Sequence, residues 1–127
     1  MKLSEYFDKA EGFGVLATAG ASGRVDAAIY GRPHFFDEQT IAFIAADRLT
    51  HANLQENPHA VYIFKEAGHY QGQRLYMTKL REEKDSPLID EIRRKKYPEV
   101  EGKYANTPKF LVYFHVDNVL PLIGDGK

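Results

Sequence analysis

Runs of six to nine residues rich in β-branched, aromatic and small apolar side chains follow one another along this chain, most of them closed by glycine or aspartate. Few are separated from the next by anything that reads as a helix. A doubly wound parallel sheet needs a helical crossover between successive strands, so that architecture is excluded. Strands that adjoin through turns predict an antiparallel sheet instead. The runs are Phe13–Ala19, Arg24–Tyr30, Thr40–Ala46, Ala60–Lys65, Gln73–Leu80 and Lys109–Asp117. The first reads as buried on both faces. The second alternates Val25, Ala27 and Ile29 against Asp26, Ala28 and Tyr30, and Gly20-Ala-Ser-Gly23 between them makes a β-hairpin. Gly31 and Pro33 predict a kink before His34-Phe35-Phe36.

Helical signals are short. Leu3, Phe7 and Ala10 share a face and end at Gly12 and Gly14. A second helix spans Asp47–Glu56 and stops at Asn57-Pro58. A third follows Ser86-Pro87, an N-cap with proline at the first helical position, and runs Leu88–Lys96. Residues 97–108 read as irregular and polar, and the tail Val119–Ile123 as an apolar cover for some other surface. Six strands and short flanking helices predict a mainly β (α+β) fold, a closed or nearly closed antiparallel barrel. With 127 residues the chain has room for one core, so residues 1–127 are read as a single domain.

Composition narrows the function classes. Seventeen basic residues against 18 acidic ones leave a net charge of −1, which argues against a general nucleic-acid binder. No cysteine is present, which removes a thiol nucleophile, a disulfide framework and a thiolate metal site. Five histidines stand singly, without HxH or HExxH spacing, and predict no metal site. Glu5, Asp8 and Glu11 break any N-terminal apolar run, and Thr40–Ala46 is far short of the roughly 20 residues that span a bilayer. The expectation is a cytoplasmic protein without a membrane partner. The basic run Arg93–Lys96 reads as a solvated end of its helix.

One stretch carries chemistry. Ile41–Ala46 is a buried strand that runs directly into a helix start at Asp47-Arg48-Leu49-Thr50. Helix N-termini offer unpaired amides and a positive dipole end. A guanidinium and a hydroxyl beside them make a phosphate site chemically plausible. The small residues Ala45 and Ala46 admit a flat ring close to the backbone. The competing reading makes Asp47 an ordinary N-cap, with Thr50 at the third helical position and Arg48 in solvent. Tyr30-Gly31-Arg32-Pro33-His34 is a second constellation: Gly31 allows close backbone approach, Arg32 suits an anion and Tyr30 a ring. Its plain alternative is a barrel bend with an exposed arginine.

In order, FGVLATAGASGRVDAAIYGRPHF, TIAFIAADRLTHANLQENPHAVYIF and GQRLYMTKL resemble the FMN-binding split-barrel family related to pyridoxamine 5'-phosphate oxidase. The resemblance spans most of residues 3–80. It implies a six-stranded antiparallel split β-barrel, a homodimer, and flavin at the dimer interface. It assigns Ile44, Ala45 and Ala46 to the ring and ribityl chain, and Arg48, Leu49 and Thr50 to the phosphate, with Asn53 one turn on. Tyr30, Gly31 and Arg32 contribute from the bend, and Gln73 from the partner subunit. The family's oxidases carry a Ser-Arg-Lys run where this chain reads Arg48-Leu49-Thr50, one basic group fewer, and their C-terminal substrate motif is absent. The resemblance therefore implies an FMN-dependent oxidoreductase acting on a small molecule or redox partner other than pyridoxamine phosphate. Tyr30 and His34 are the nearest acid–base candidates. A non-catalytic flavin or electron-transfer protein is the alternative, and haem or a deazaflavin are the alternative cofactors. A barrel that has lost its cofactor is a third reading.

Overall fold

The computed structural model describes residues 2–96 and 108–125 of the chain. In chain order its elements are α1 (Leu3–Lys9), β1 (Gly12–Ala19), β2 (Val25–Tyr30), β3 (His34–Phe35), β4 (Thr40–Ala46), α2 (Leu49–Glu56), β5 (His59–Glu66), β6 (Gly72–Lys84), α3 (Pro87–Lys96) and β7 (Lys109–Pro121). All strand pairs are antiparallel, in one sheet of order β2-β1-β5-β6-β7-β4-β3.

The sheet has seven strands where the sequence reading counts six, and it is not closed by hydrogen bonds. The bend at residues 31–33 explains the difference. It separates β2 from the two-residue β3 and sends them to opposite edges of the sheet. Three residues thus connect the two edges, so the sheet must curl until they approach. Inside the curl lies the core, with Phe7, Leu16, Ile41, Phe43, Tyr62, Phe64, Leu75 and Phe114 buried together. Fully burying such a side chain contributes about 1.5–3 kcal/mol. A smaller cluster, Ala42, Ile89, Ile92, Leu111 and Tyr113, packs α3 onto the outer face of β4 and β7. Ser86 caps α3, its hydroxyl accepting from the Leu88 N–H at 3.3 Å.

Several sequence expectations need correction. β1 is buried on one face only, with Leu16 and Thr18 inside and Val15, Ala17 and Ala19 half-exposed. β6 continues through the charged residues to Lys84, and β7 runs on to Pro121 instead of releasing an apolar tail. Each extends because the other is there to pair with it, across shifts of register at Tyr76/Met77 and Lys79/Arg81. α2 begins at Leu49, and its N-cap is Arg48, with no side-chain cap bond. Asp47 is therefore not the cap, and its carboxylate lies 3.5 Å from His51 Nδ1. The expectation of an irregular segment at 97–107 lies outside the described residues. No described helix is long and apolar enough to cross a membrane.

Candidate functional site

Where the two sheet edges approach, a cleft of about 510 Å³ opens, within the range of small-ligand pockets. Its walls come from β2 and β4, and α2 starts at its rim. The reason is visible in the pairing. β3 meets β4 only at Ala42 and Ile41, so beyond Ala42 no strand among the described residues lies along that edge of β4. β2 likewise pairs on one side alone, with β1. Two strand edges with no neighbouring strand among the described residues thus border one space.

Seven of the sequence-predicted residues line it: Tyr30 and Gly31 on one side, Ile44 and Ala46 on the other, and Arg48, Leu49 and Thr50 at the helix start. Ile44 and Ala46 point outward because β4 alternates, and the same alternation sends Ala45 into the core. Thr50 is buried and hydrogen-bonds Tyr30. Burial pushes the Tyr30 phenol pKa up, the Thr50 bond opposes this, and Asp26 adds to it. Tyr30 therefore stays protonated through the neutral range. The bend behind it is fixed from the core, where the fully buried Tyr62 donates its hydroxyl to Tyr30 O at 3.3 Å and Gly31 O at 3.1 Å. Gly14 makes this possible, since a β-carbon there would fall 2.0 Å from that hydroxyl.

The other predicted residues stand elsewhere. Arg32 Nη1 donates to Phe7 O at 3.0 Å and Ala10 O at 3.1 Å, so its charge serves the C-terminal end of α1. Asn53 is buried, with its Nδ2 donating to Thr18 Oγ1 at 3.0 Å. Gln73, expected to reach the partner's flavin, sits on β6 opposite Phe64 and Pro121 and is not among the residues lining its own chain's cleft. His34, on β3, packs edge-on against Phe36 and does not line the cleft.

Five lining residues went unforeseen: Asp26, Ala28, Ile29, Arg93 and Lys109. Lys109 opens β7, directly opposite Ala46, and is 7 % exposed. A lysine heading an otherwise apolar run was its only signal in the sequence. Arg93, read as part of a solvated end, lines the cleft from α3. Behind the helix start, His51 stacks on Phe110, with ring centroids 3.7 Å apart, and meets Glu82 at 2.8 Å. Gln55 and Lys79 donate to the other Glu82 oxygen at 2.8 and 2.7 Å, tying α2 to β6. No group of three or more His, Asp or Glu that could hold a metal occurs among the described residues.

No family model and no curated protein matches the sequence. Solved structures do. An FMN-binding protein of Syntrophomonas wolfei superposes with TM-score 0.76 at 20 % identity, over 97 % of this chain and 85 % of that one. A candidate pyridoxamine 5'-phosphate oxidase of Lactobacillus delbrueckii gives 0.68 at 14 % identity, over 94 % and 92 %. An F420 reductase gives 0.68 at 15 % identity, over 94 % and 97 %. The architecture is thus an antiparallel split barrel with its cleft at the split. More narrowly, the chain has the split-barrel fold of the proteins related to pyridoxamine 5'-phosphate oxidase.

Proposed function

We propose that this chain is an FMN-binding flavoprotein, a homodimer that holds the flavin in the cleft between β2 and β4 and serves as a small oxidoreductase. The observation that carries the reading is the coincidence, in one cleft, of two unpaired strand edges, apolar walls and a helix start. Each part of FMN finds a fitting surface there. Ile44 and Ala46 give a flat apolar wall, and the free edges of β2 and β4 offer backbone donors and acceptors to a heterocycle's rim. The N–H groups of Leu49 and Thr50 have no intrahelical acceptor, and Arg48 stands beside them for a phosphate. Three similar structures are of proteins named for FMN binding, pyridoxamine 5'-phosphate oxidation and F420 reduction, which supports a flavin-type ligand.

Bound flavin would supply hydride chemistry. The protein's own residues orient and shield. Tyr30, protonated and held by Thr50, is a fixed hydroxyl at the cleft wall. Ile29 and Leu49 line the cleft, yet they are 71 % and 57 % exposed, and Val25 beside them on β2 is 78 % exposed. Apolar side chains so bare at a ligand cleft suit a surface covered by a second subunit.

The test is an absorption spectrum and fluorescence titration of the purified protein with FMN. Retention of flavin bands through gel filtration supports the reading. Arg48→Ala is expected to weaken FMN about 10- to 100-fold, the scale of a charged hydrogen bond. A colourless protein indifferent to FMN would overturn it, and a Soret band on adding haem would replace the cofactor.

A further inference from the structure

The geometry points to a second small-molecule site on the outer face of the sheet, where Asn57 and His59 together present a donor and an acceptor to the –CO–NH– edge of a flat heterocycle. It shares no lining residue with the β2/β4 cleft and is independent of the flavin reading.

A cavity of about 420 Å³ lies over β1, β5 and β6, large enough for a small ring system. Its floor is apolar. Ala17 pairs with Val61 and Val61 with Tyr76, so the three form one cross-strand row on a single face. Val25 borders the cavity from β2 and is the one residue it shares with the apolar surface assigned above to the second subunit. The next row, two residues along, is polar: His59 stands opposite Thr78, and Thr78 opposite His115. Asn57, His59 and Asp117 line that end of the cavity.

The polar row sets the state of the His59 ring. Thr78 Oγ1 donates to Asp117 Oδ2 at 2.6 Å, and His115 Nδ1 meets Asp117 Oδ1 at 2.8 Å. These bonds, that of Thr78 first, hold the Asp117 carboxyl below the usual carboxylate range against the opposing effect of burial. An ionised carboxylate only accepts, and a hydroxyl has one hydrogen to give. With that hydrogen committed to Asp117, Thr78 Oγ1 faces His59 Nδ1, 3.5 Å away, as an acceptor. The contact is long, as hydrogen bonds in unliganded sites often are. In a neutral imidazole, hydrogen on Nδ1 leaves the lone pair on Nε2. Among the described residues no hydrogen bond or ion pair reaches that Nε2.

Asn57 supplies the complement. Its Oδ1 accepts from the His59 N–H at 3.0 Å, which commits the amide oxygen and leaves the Nδ2 hydrogens to give. A donor on Asn57 and an acceptor on His59 match the carbonyl oxygen and the N–H of a lactam or imide. A carboxylate or phosphate offers acceptors alone and would meet the Asp117 anion. An amine offers donors alone and leaves Asn57 unanswered. The apolar row beneath selects a flat ring to carry the edge.

The probe is 5-fluorouracil, a flat ring with lactam edges, titrated into the full chain and followed by fluorine NMR. A saturable shift is expected. The 1,3-dimethyl derivative, the same ring without an N–H, should bind about tenfold more weakly, the scale of one to two hydrogen bonds. His59→Phe keeps a flat side chain and should bring the parent probe down to the level of the methylated one. Thr78→Val should move hydrogen off His59 Nδ1, read from the imidazole nitrogen shifts, and weaken the probe about threefold or more. FMN should titrate into both variants as into wild type. Equal wild-type affinity for the two probes, unchanged binding in His59→Phe, or no saturable shift at all overturns the inference. Displacement of the probe by saturating FMN places it in the β2/β4 cleft and overturns it as well. A chain that ignores FMN yet binds the probe through His59 sinks the flavin reading alone and supports this site.

Discussion

Replacing Glu82 by glutamine should destabilise the protein by about 2–3 kcal/mol near neutral pH, and the loss should vanish in acid. One Glu82 oxygen meets His51 Nε2 at 2.8 Å, and the other accepts from Gln55 at 2.8 Å and Lys79 at 2.7 Å. Its side chain is 20 % exposed. Burial alone would raise the carboxyl pKa, but hydrogen bonds from His51, Lys79 and Gln55 win and lower it from 4.5 to about 2. A gap of that size between unfolded and folded chains corresponds to at most about 3.4 kcal/mol, trimmed here for residual solvent access. Because the folded pKa is the lower, this stability is fully present above about pH 4.5 and is lost as pH falls through about 2. Urea unfolding of both proteins at equal concentration, from neutral pH down to about pH 2, gives the difference in unfolding free energy directly. Other carboxylates titrate in both proteins and cancel. A difference that stays constant with pH, or falls below about 0.5 kcal/mol at neutrality, would refute the claim that this carboxylate anchors α2 to β6.

Three further outcomes are expected. Gly14→Ala should cost about 2–4 kcal/mol, since its β-carbon would meet the Tyr62 hydroxyl at 2.0 Å and ring carbons at 2.2 and 2.6 Å. Combining it with Tyr62→Phe should give no rescue in thermal unfolding, and a rescue would mean the ring has room to move. Arg32→Ala should speed amide exchange in α1 while leaving FMN affinity within about twofold, as its bonds are to Phe7 and Ala10 carbonyls; a tenfold loss of affinity would return Arg32 to the binding site. Ile29→Glu should lower the sedimentation coefficient to that of a monomer and weaken flavin binding, and an intact dimer would place the subunit contact elsewhere.

Local signals in the sequence carried well. The hairpin at Gly20–Gly23, the Asn57-Pro58 stop and the Ser86-Pro87 start are chemistry of two to four neighbouring residues, and each stands where read. The strand-to-helix junction at Ala46–Thr50 was legible for the same reason, and its residues do meet in one cleft with Tyr30 and Gly31. What the sequence did not carry depended on partners distant in the chain. Nothing in the sequence says that Lys109 lies opposite Ala46, because that register arises only when β7 docks beside β4. Arg32 read as an anion binder because arginine suits phosphate, but the carbonyls ending α1 reach it. Asn53 read as a ligand residue because it follows Thr50 by about one turn, but its amide Nδ2 donates to Thr18 Oγ1 on β1, a partner far off in the chain. The count of strands failed at the one place where a bend sends two segments to opposite edges.

The brevity of β3 has a consequence for how such a site persists. Continuing its register would set Pro33 against Phe43 and Arg32 against Ile44. The chain instead turns away at the bend of residues 31–33 to reach β2 at the other edge, so the seam stops zipping there and the opening above it survives. The cleft is therefore an arrested closure, its length set by where that bend falls. Moving that bend by two residues in either direction would shorten or lengthen the opening by roughly 7 Å. A chain built on this plan could change the size of its cleft by shifting one bend along its sequence.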